Sequence, residues 1–316
     1  MSVAIMFPGQ GSQSVGMGTK LADEFSEARE VFQEVDDALG QNLFKIISEG
    51  PEDQLTLTEN TQPALMAVSL ALIRVMESKF GIDLASKFSF AIGHSLGEYS
   101  ALAAARALSL SDTARLLKTR GTAMQQSVPV GQGGMAAILG LNLEAAQGLA
   151  RAAAEGEVCT AANDNAPGQV VLSGHATAIS RAVNKASEFG ARRAVALQVS
   201  APFHCSLMQP AAEKMDEVLS STEIAAPCIP VLSNITVEPT QEPALIKSLL
   251  VQQVTGMVRW RESILKLREL GVHKLIEVGA GNVLSGLAKR IDRELETTAI
   301  NDPEGLKILS QDLAND

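Results

Sequence analysis

The sequence is poor in cysteine, histidine and positive charge, and it contains no long apolar run; each shortage removes a class of protein. Three cysteines, Cys159, Cys205 and Cys228, are an odd number without metal-ligand spacing. Neither a disulfide framework nor a zinc site is expected, and the thiols read as reduced. Lysine and arginine total 26 against 36 aspartate and glutamate, a formal charge of −10. General nucleic-acid binding depends on clustered cations and is not expected here. Anionic small molecules stay admissible where cations cluster locally, and Arg192-Arg193, Arg259 with Arg261, and Lys289-Arg290 are the available clusters. Each reads first as a solvated face and second as a binding patch. No segment reaches about 18 uninterrupted apolar residues, and the stretch Met1–Pro8 carries no basic leader. The expectation is a cytoplasmic chain without a membrane partner.

What is present is core material. With 316 residues, 46% hydrophobic, the chain can bury one large domain and a subdomain. A strand over Val3–Phe7 runs into Pro8-Gly9-Gln10-Gly11, and apolar residues from Leu21 to Leu39 then recur at helical spacing. A second helical pattern follows Gln62-Pro63. A strand over Phe88–Ile92, a helix over about Leu96–Leu108 and a helix over about Ser111–Gln126 come next, the last opened by a Ser-Asp cap. Strands alternating with helices predict an α/β core with a parallel sheet. After the turn-rich stretch Ser127–Gly134 the spacing shortens. Strands at Met135–Leu139, Val158–Ala161, Val170–Leu172 and Arg193–Val199 enclose helices at Leu143–Glu155 and Ala176–Phe189, with a turn at Asn163–Gly168. That βαββαβ order predicts a ferredoxin-like small subdomain over 128–199, inserted into a core formed by 1–127 and 200–316. A strand at Lys274–Val278 and a helix from Val283 close the pattern.

Gly93-His94-Ser95-Leu96-Gly97 places a serine between two glycines where a strand ends and a helix begins, the form of a nucleophile elbow. The blander reading is a glycine-rich turn with a serine cap. A serine needs a base, and the chain offers four histidines. His94 adjoins Ser95 and should leave the turn in another direction; His175 reads as a cap or surface residue and His273 as a loop residue. His204 lies in Ser200–Ser206, where the chain re-enters the larger domain and clefts form. The Gly9-Gln10-Gly11 loop lacks the third glycine of a dinucleotide fingerprint, since Ser14 stands in its place. It can instead turn a backbone N–H toward an oxyanion, with Leu96 as the second donor. Arg120 falls on the apolar stripe of Leu116, Leu117, Ala123 and Met124. A guanidinium there must find a structural partner, snorkel to water or meet a ligand carboxylate, and periodicity leaves all three open.

Phe7-Pro8-Gly9-Gln10-Gly11-Ser12-Gln13, Gly93–Tyr99, Arg120 in Lys118–Gly121, and Pro202-Phe203-His204-Cys205 occur in that order. Together they resemble the malonyl-CoA:acyl carrier protein transacylases, over nearly the whole chain. The resemblance implies an α/β-hydrolase-like core and Ser95 as acylated nucleophile. It implies His204 as base then acid, and the N–H groups of Gln10 and Leu96 as oxyanion hole. Arg120 would bind the malonyl carboxylate and the Gln253 carbonyl would orient the histidine. Asn163 in the small-subdomain turn would lie near the catalytic groups, and Phe203 would favour malonyl over branched groups. Thr255-Gly256-Met257 departs from the family's common Asn-Pro beside Gln253, and Ala280 stands where many members have proline. The implied partners are malonyl-CoA and acyl carrier protein, with no metal or resident cofactor, and a monomer is the simplest expectation. A basic patch at Arg192-Arg193 or Lys289-Arg290 is expected to meet the anionic carrier. Two other readings share the elbow: an acyltransferase serving a polyketide or polyunsaturated lipid synthase, and a serine hydrolase.

Overall fold

The computed structural model describes residues 2–315. Its strands, numbered in chain order, are β1 (Ser2–Phe7), β2 (Phe90–Gly93), β3 (Gly133–Leu139), β4 (Cys159–Ala166) and β5 (Gln169–His175). They continue as β6 (Arg193–Ala196), β7 (Val231–Leu232), β8 (Pro239–Thr240), β9 (Val272–Val278) and β10 (Glu296–Ile300). Six of them form a sheet in the order β10-β9-β1-β2-β7-β8, parallel except for β8 against β7. Strand alternation sends Val3, Ile5 and Phe7 into the core on one face, and Ala4 and Met6 against Trp260 and Leu275 on the other. Both faces are covered, so β1 reads as a continuous apolar run. Phe7 of β1 lies in register with Gly93 of β2, so the loop after β1 and the turn after β2 leave the sheet side by side.

The helix Thr58–Phe80 is the buried spine of the larger body. It starts before Gln62-Pro63, not after it as the apolar pattern predicts. Proline inside the helix gives up one backbone bond, and burial of Ala64, Leu65 and Val68 on the following turns holds the helix through it. The helix Leu110–Gln126 packs on it, closest at Gly121, where a Cβ would lie 2.6 Å from the Thr58 carbonyl oxygen and from the Glu59 Cα. Ser109 caps this helix by accepting from the Asp112 N–H at 3.0 Å, so the helix begins at Leu110, one residue before the Ser111 start expected.

The second sheet is antiparallel throughout, in the order β4-β5-β3-β6. The helices Leu143–Ala154 and Ala176–Lys185 cover one face through Leu149 and Ile179, which meet Ile138 and Leu172. The expected turn at Asn163–Gly168 is mostly strand: β4 runs through Ala166, with irregular register around Asn163 and Asp164, and Asn163 sits in β4. Asp164 and its neighbour Ala162 find partners outside their own sheet. The Asp164 N–H donates to the Val258 carbonyl at 3.0 Å and the Val258 N–H to the Ala162 carbonyl at 2.9 Å. Arg261 pairs with the buried Asp164 carboxylate at 2.8 Å. Arg259 is taken by Glu262 at 2.5 Å, so this cation cluster is consumed within the fold. Among the described residues no helix is long and apolar enough to cross a membrane.

Candidate active site

The elbow is built by close backbone approach. A Cβ on Gly93 would collide with the Gly97 carbonyl, and one on Gly97 with the Phe7 carbonyl. Both positions therefore require glycine. Ser95 between them holds φ 54 and ψ −110, a conformation sparsely populated by residues with a side chain. Asn234, just past β7, clamps that turn from both sides. Its Oδ1 accepts the Ser95 N–H at 2.8 Å and its Nδ2 donates to the Gly93 carbonyl at 2.8 Å.

His204 Nε2 lies 2.8 Å from Ser95 Oγ. Its Nδ1 faces the carbonyl oxygens of Gln253 at 2.9 Å and Gly256 at 3.1 Å. Carbonyls only accept, so Nδ1 carries the proton and Nε2 keeps its lone pair toward the serine hydroxyl. Burial pushes the His204 pKa down to about 3, the Arg120 cation adds to the fall, and the carbonyl contacts oppose it. The imidazole is neutral around pH 7. The other histidines are occupied elsewhere: His94 Nε2 pairs with Asn165 Oδ1 at 2.9 Å, His175 Nδ1 accepts from the Val158 N–H, and His273 Nδ1 meets Arg268.

Arg120 is 1% exposed. Gly121 beside it lets the two helices approach closely enough for Arg120 Nη1 to reach Gln62 Oε1 at 2.8 Å. Its Nη2 donates to Ser95 Oγ at 3.1 Å and to Gln253 Oε1 at 2.9 Å, and the guanidinium lies 5.7 Å from the Tyr99 ring centre. Burial lowers its pKa, yet an arginine retains its charge. Among the described residues no carboxylate comes within ion-pair distance of it. From Gln62 the bonds run on: its Nε2 donates to Thr58 Oγ1 at 3.1 Å, and Thr58 Oγ1 donates to Gln10 Oε1 at 2.9 Å.

Ser95, His204, Arg120, Gln10, Leu96, Asn163 and Phe203 line one cleft of about 320 Å³ between the two sheets. Leu96 opens its helix, so its N–H has no partner within the helix. Gln253 stands behind the cleft, fully buried, and reaches the site through its carbonyl and its amide. Asn234, Gln62 and Glu98 also meet the site and are not among the residues expected there from the sequence. Gln62 and Glu98 carry a signal in kind: each is a polar side chain among buried apolar neighbours on a helix, as Arg120 is. Asn234 has none, since it meets Ser95 across 139 positions of chain.

A neutral histidine whose free nitrogen faces an elbow serine on a parallel sheet defines a class, the α/β enzymes that handle acyl groups. A family model described as acyl transferase domain matches residues 5–299. Within that class the chain belongs to the malonyl CoA-acyl carrier protein transacylase family. It is 45% identical to the malonyl CoA-acyl carrier protein transacylase of Bacillus subtilis strain 168, over 98% of this chain and 97% of that protein. The crystal structure of the acyl-carrier-protein-S-malonyltransferase from Bartonella henselae superposes with a TM-score of 0.97 at 52% identity, covering 99% and 100% of the two chains. A chain of the structure of a holo type II PKS acyl-carrier protein in complex with its malonyl-transacylase superposes with a TM-score of 0.95 at 41% identity, covering 99% of this chain and 100% of that chain.

Proposed function

We propose that the protein transfers the malonyl group of malonyl-CoA to the phosphopantetheine thiol of an acyl carrier protein, through a malonyl ester on Ser95. Ser95 Oγ attacks the thioester carbonyl carbon as His204 Nε2 takes its proton. The oxyanion accepts from the N–H groups of Gln10 and Leu96; loss of one such donor typically costs about 10² to 10³ in rate. Collapse expels the coenzyme A thiolate, which leaves with the proton held on His204. The carrier thiol then gives a proton to His204, attacks the ester and returns Ser95 to its hydroxyl form, a ping-pong sequence without a resident cofactor. Nδ1 meets carbonyls and no carboxylate, so the base is one half of a Ser–His dyad.

The observation that carries this reading is Arg120: a buried cation without a carboxylate partner, one hydrogen bond from the nucleophile. An acyl group bearing its own free carboxylate supplies the missing partner by a bidentate contact. A plain hydrolase has no use for it. Phe203, at the cleft wall beside His204, narrows the space for a branched acyl group, and Asn163 supplies a polar group on the β4 wall. The strand order β4-β5-β3-β6 supports reading 128–199 as a ferredoxin-like insertion into an α/β-hydrolase-like core formed by 1–127 and 200–316. Intact mass after incubation with malonyl-CoA tests the proposal. A malonyl adduct is expected on the native protein, none on Ser95→Ala, and a preference shifted toward acetyl-CoA in Arg120→Ala. Better labelling of the native protein by acetyl-CoA than by malonyl-CoA would overturn it.

A further inference from the structure

Glu98 is a buried carboxylate that the acyl-transfer steps do not use. It lies 4% exposed on the elbow helix, one turn from Ser95. Its Oε2 accepts from Gln253 Nε2 at 2.7 Å and from the Asn234 N–H at 3.1 Å. Gln253 Nε2 donates a second bond to the Ser95 carbonyl at 3.0 Å. Both amide hydrogens therefore point at oxygens on one side, which obliges Oε1 to face the other, where Arg120 Nη2 donates to it at 2.9 Å. A flipped amide would aim oxygen at oxygen and N–H at guanidinium. An ion pair of Glu98 with Arg120 would occupy the fork that a substrate carboxylate needs; the amide between them holds the arginine and leaves it without an anion.

We propose that Glu98 is a positioning residue for acyl-group selection: by fixing the direction of the Gln253 amide it holds the Arg120 guanidinium aimed at the carboxylate of the incoming acyl group. The inference rests on the proposed role of Arg120. It separates two tasks of Gln253, since the main-chain carbonyl tethers His204 and only the amide depends on Glu98. Burial pushes the Glu98 carboxyl up to about 7, against the hydrogen bonds of Asn234 and Gln253. A neutral form is thus already populated near pH 7, and glutamine, which keeps one acceptor oxygen, is a conservative replacement.

The test is the ratio of acylation rates with malonyl-CoA and acetyl-CoA, read by intact mass in single turnovers. Loss of a bond to a charged group predicts that Glu98→Leu lowers this malonyl-to-acetyl ratio by about tenfold or more. Glu98→Gln should stay within about threefold of the native ratio. If Glu98→Leu does not fold, Glu98→Asp, one methylene too short to reach the amide, must show the same loss. A purely structural role would lower both rates together and leave the ratio alone, which would overturn the proposal, as would equal losses in Glu98→Gln and Glu98→Leu. Arg120→Ala is the control for the underlying reading. A native ratio in that variant defeats the Arg120 assignment, whereas a collapsed ratio there with a native ratio in Glu98→Leu defeats this proposal alone.

Discussion

What surrounds His204 suits it to the role of base proposed for it. Desolvation first, and the Arg120 cation second, hold its pKa near 3, well below the ordinary 6.5. The folded histidine stays unprotonated as pH falls through 6.5, so kcat/KM for acylation by malonyl-CoA is expected to show no protonation limb there. In the complex a malonyl carboxylate would offset the Arg120 charge, which raises the histidine pKa and places the kcat limb at higher pH than the kcat/KM limb. Glu98→Gln is the right background for this profile, because it removes the carboxyl that titrates near 7. A one-proton loss of kcat/KM centred near 6.5 would show that the imidazole is solvated. At this scale a glycine-flanked turn, the scarcity of histidine and a charge on an apolar stripe made Ser95, His204 and Arg120 candidates, the family resemblance singled them out, and the structure brings the three side chains together in one cleft. Glu98 sits in the same motif as Ser95, yet its partner groups lie on Asn234 and Gln253, far along the chain, so only the folded structure shows what it holds.

Among elements, the crossing of the helices Thr58–Phe80 and Leu110–Gln126 decides whether Arg120 reaches the site. Gly121 sets that distance, since its neighbours at the crossing are backbone atoms that do not rotate away. Gly121→Ala is expected to lower stability by about 1–3 kcal/mol, the usual range for an overpacked contact. By moving Arg120 away from Gln62 it should also lower malonyl labelling more than acetyl labelling. An unchanged melting midpoint and an unchanged ratio together would show that the crossing has slack. The α/β alternation and the short βαββαβ run were legible from periodicity. The helix start at Thr58 was hidden by Pro63, which resembles a boundary, and the length of β4 was hidden by the turn-like pair Asn163 and Asp164, of which Asp164 is held by Val258 and Arg261 in a distant segment.

For the whole molecule the net charge of −10 opposes an anionic carrier, so docking has to be local. Arg192, Arg193, Lys289 and Arg290 are exposed, and Arg290 reaches Gln169 Oε1 at 2.8 Å. Reversing Arg192 and Arg193, or Lys289 and Arg290, to glutamate is expected to slow transfer to the carrier by about tenfold at low salt while malonyl-Ser95 forms at the native rate. Equal loss in both half-reactions, or loss in neither, for both pairs would remove these patches from the carrier interface. The sign and place of such charges are legible in a sequence; whether they are free is not, as Arg259 and Arg261 demonstrate by pairing with Glu262 and Asp164.

The segment 253–261 joins these scales. Its first part offers the carbonyls that tether His204, and its last part, through Val258 and Arg261, fastens β4 of the second sheet. The cleft wall and the His204 imidazole thus hang from one beam. Swinging that wall outward would pull on the imidazole, so the halves do not work as a free hinge.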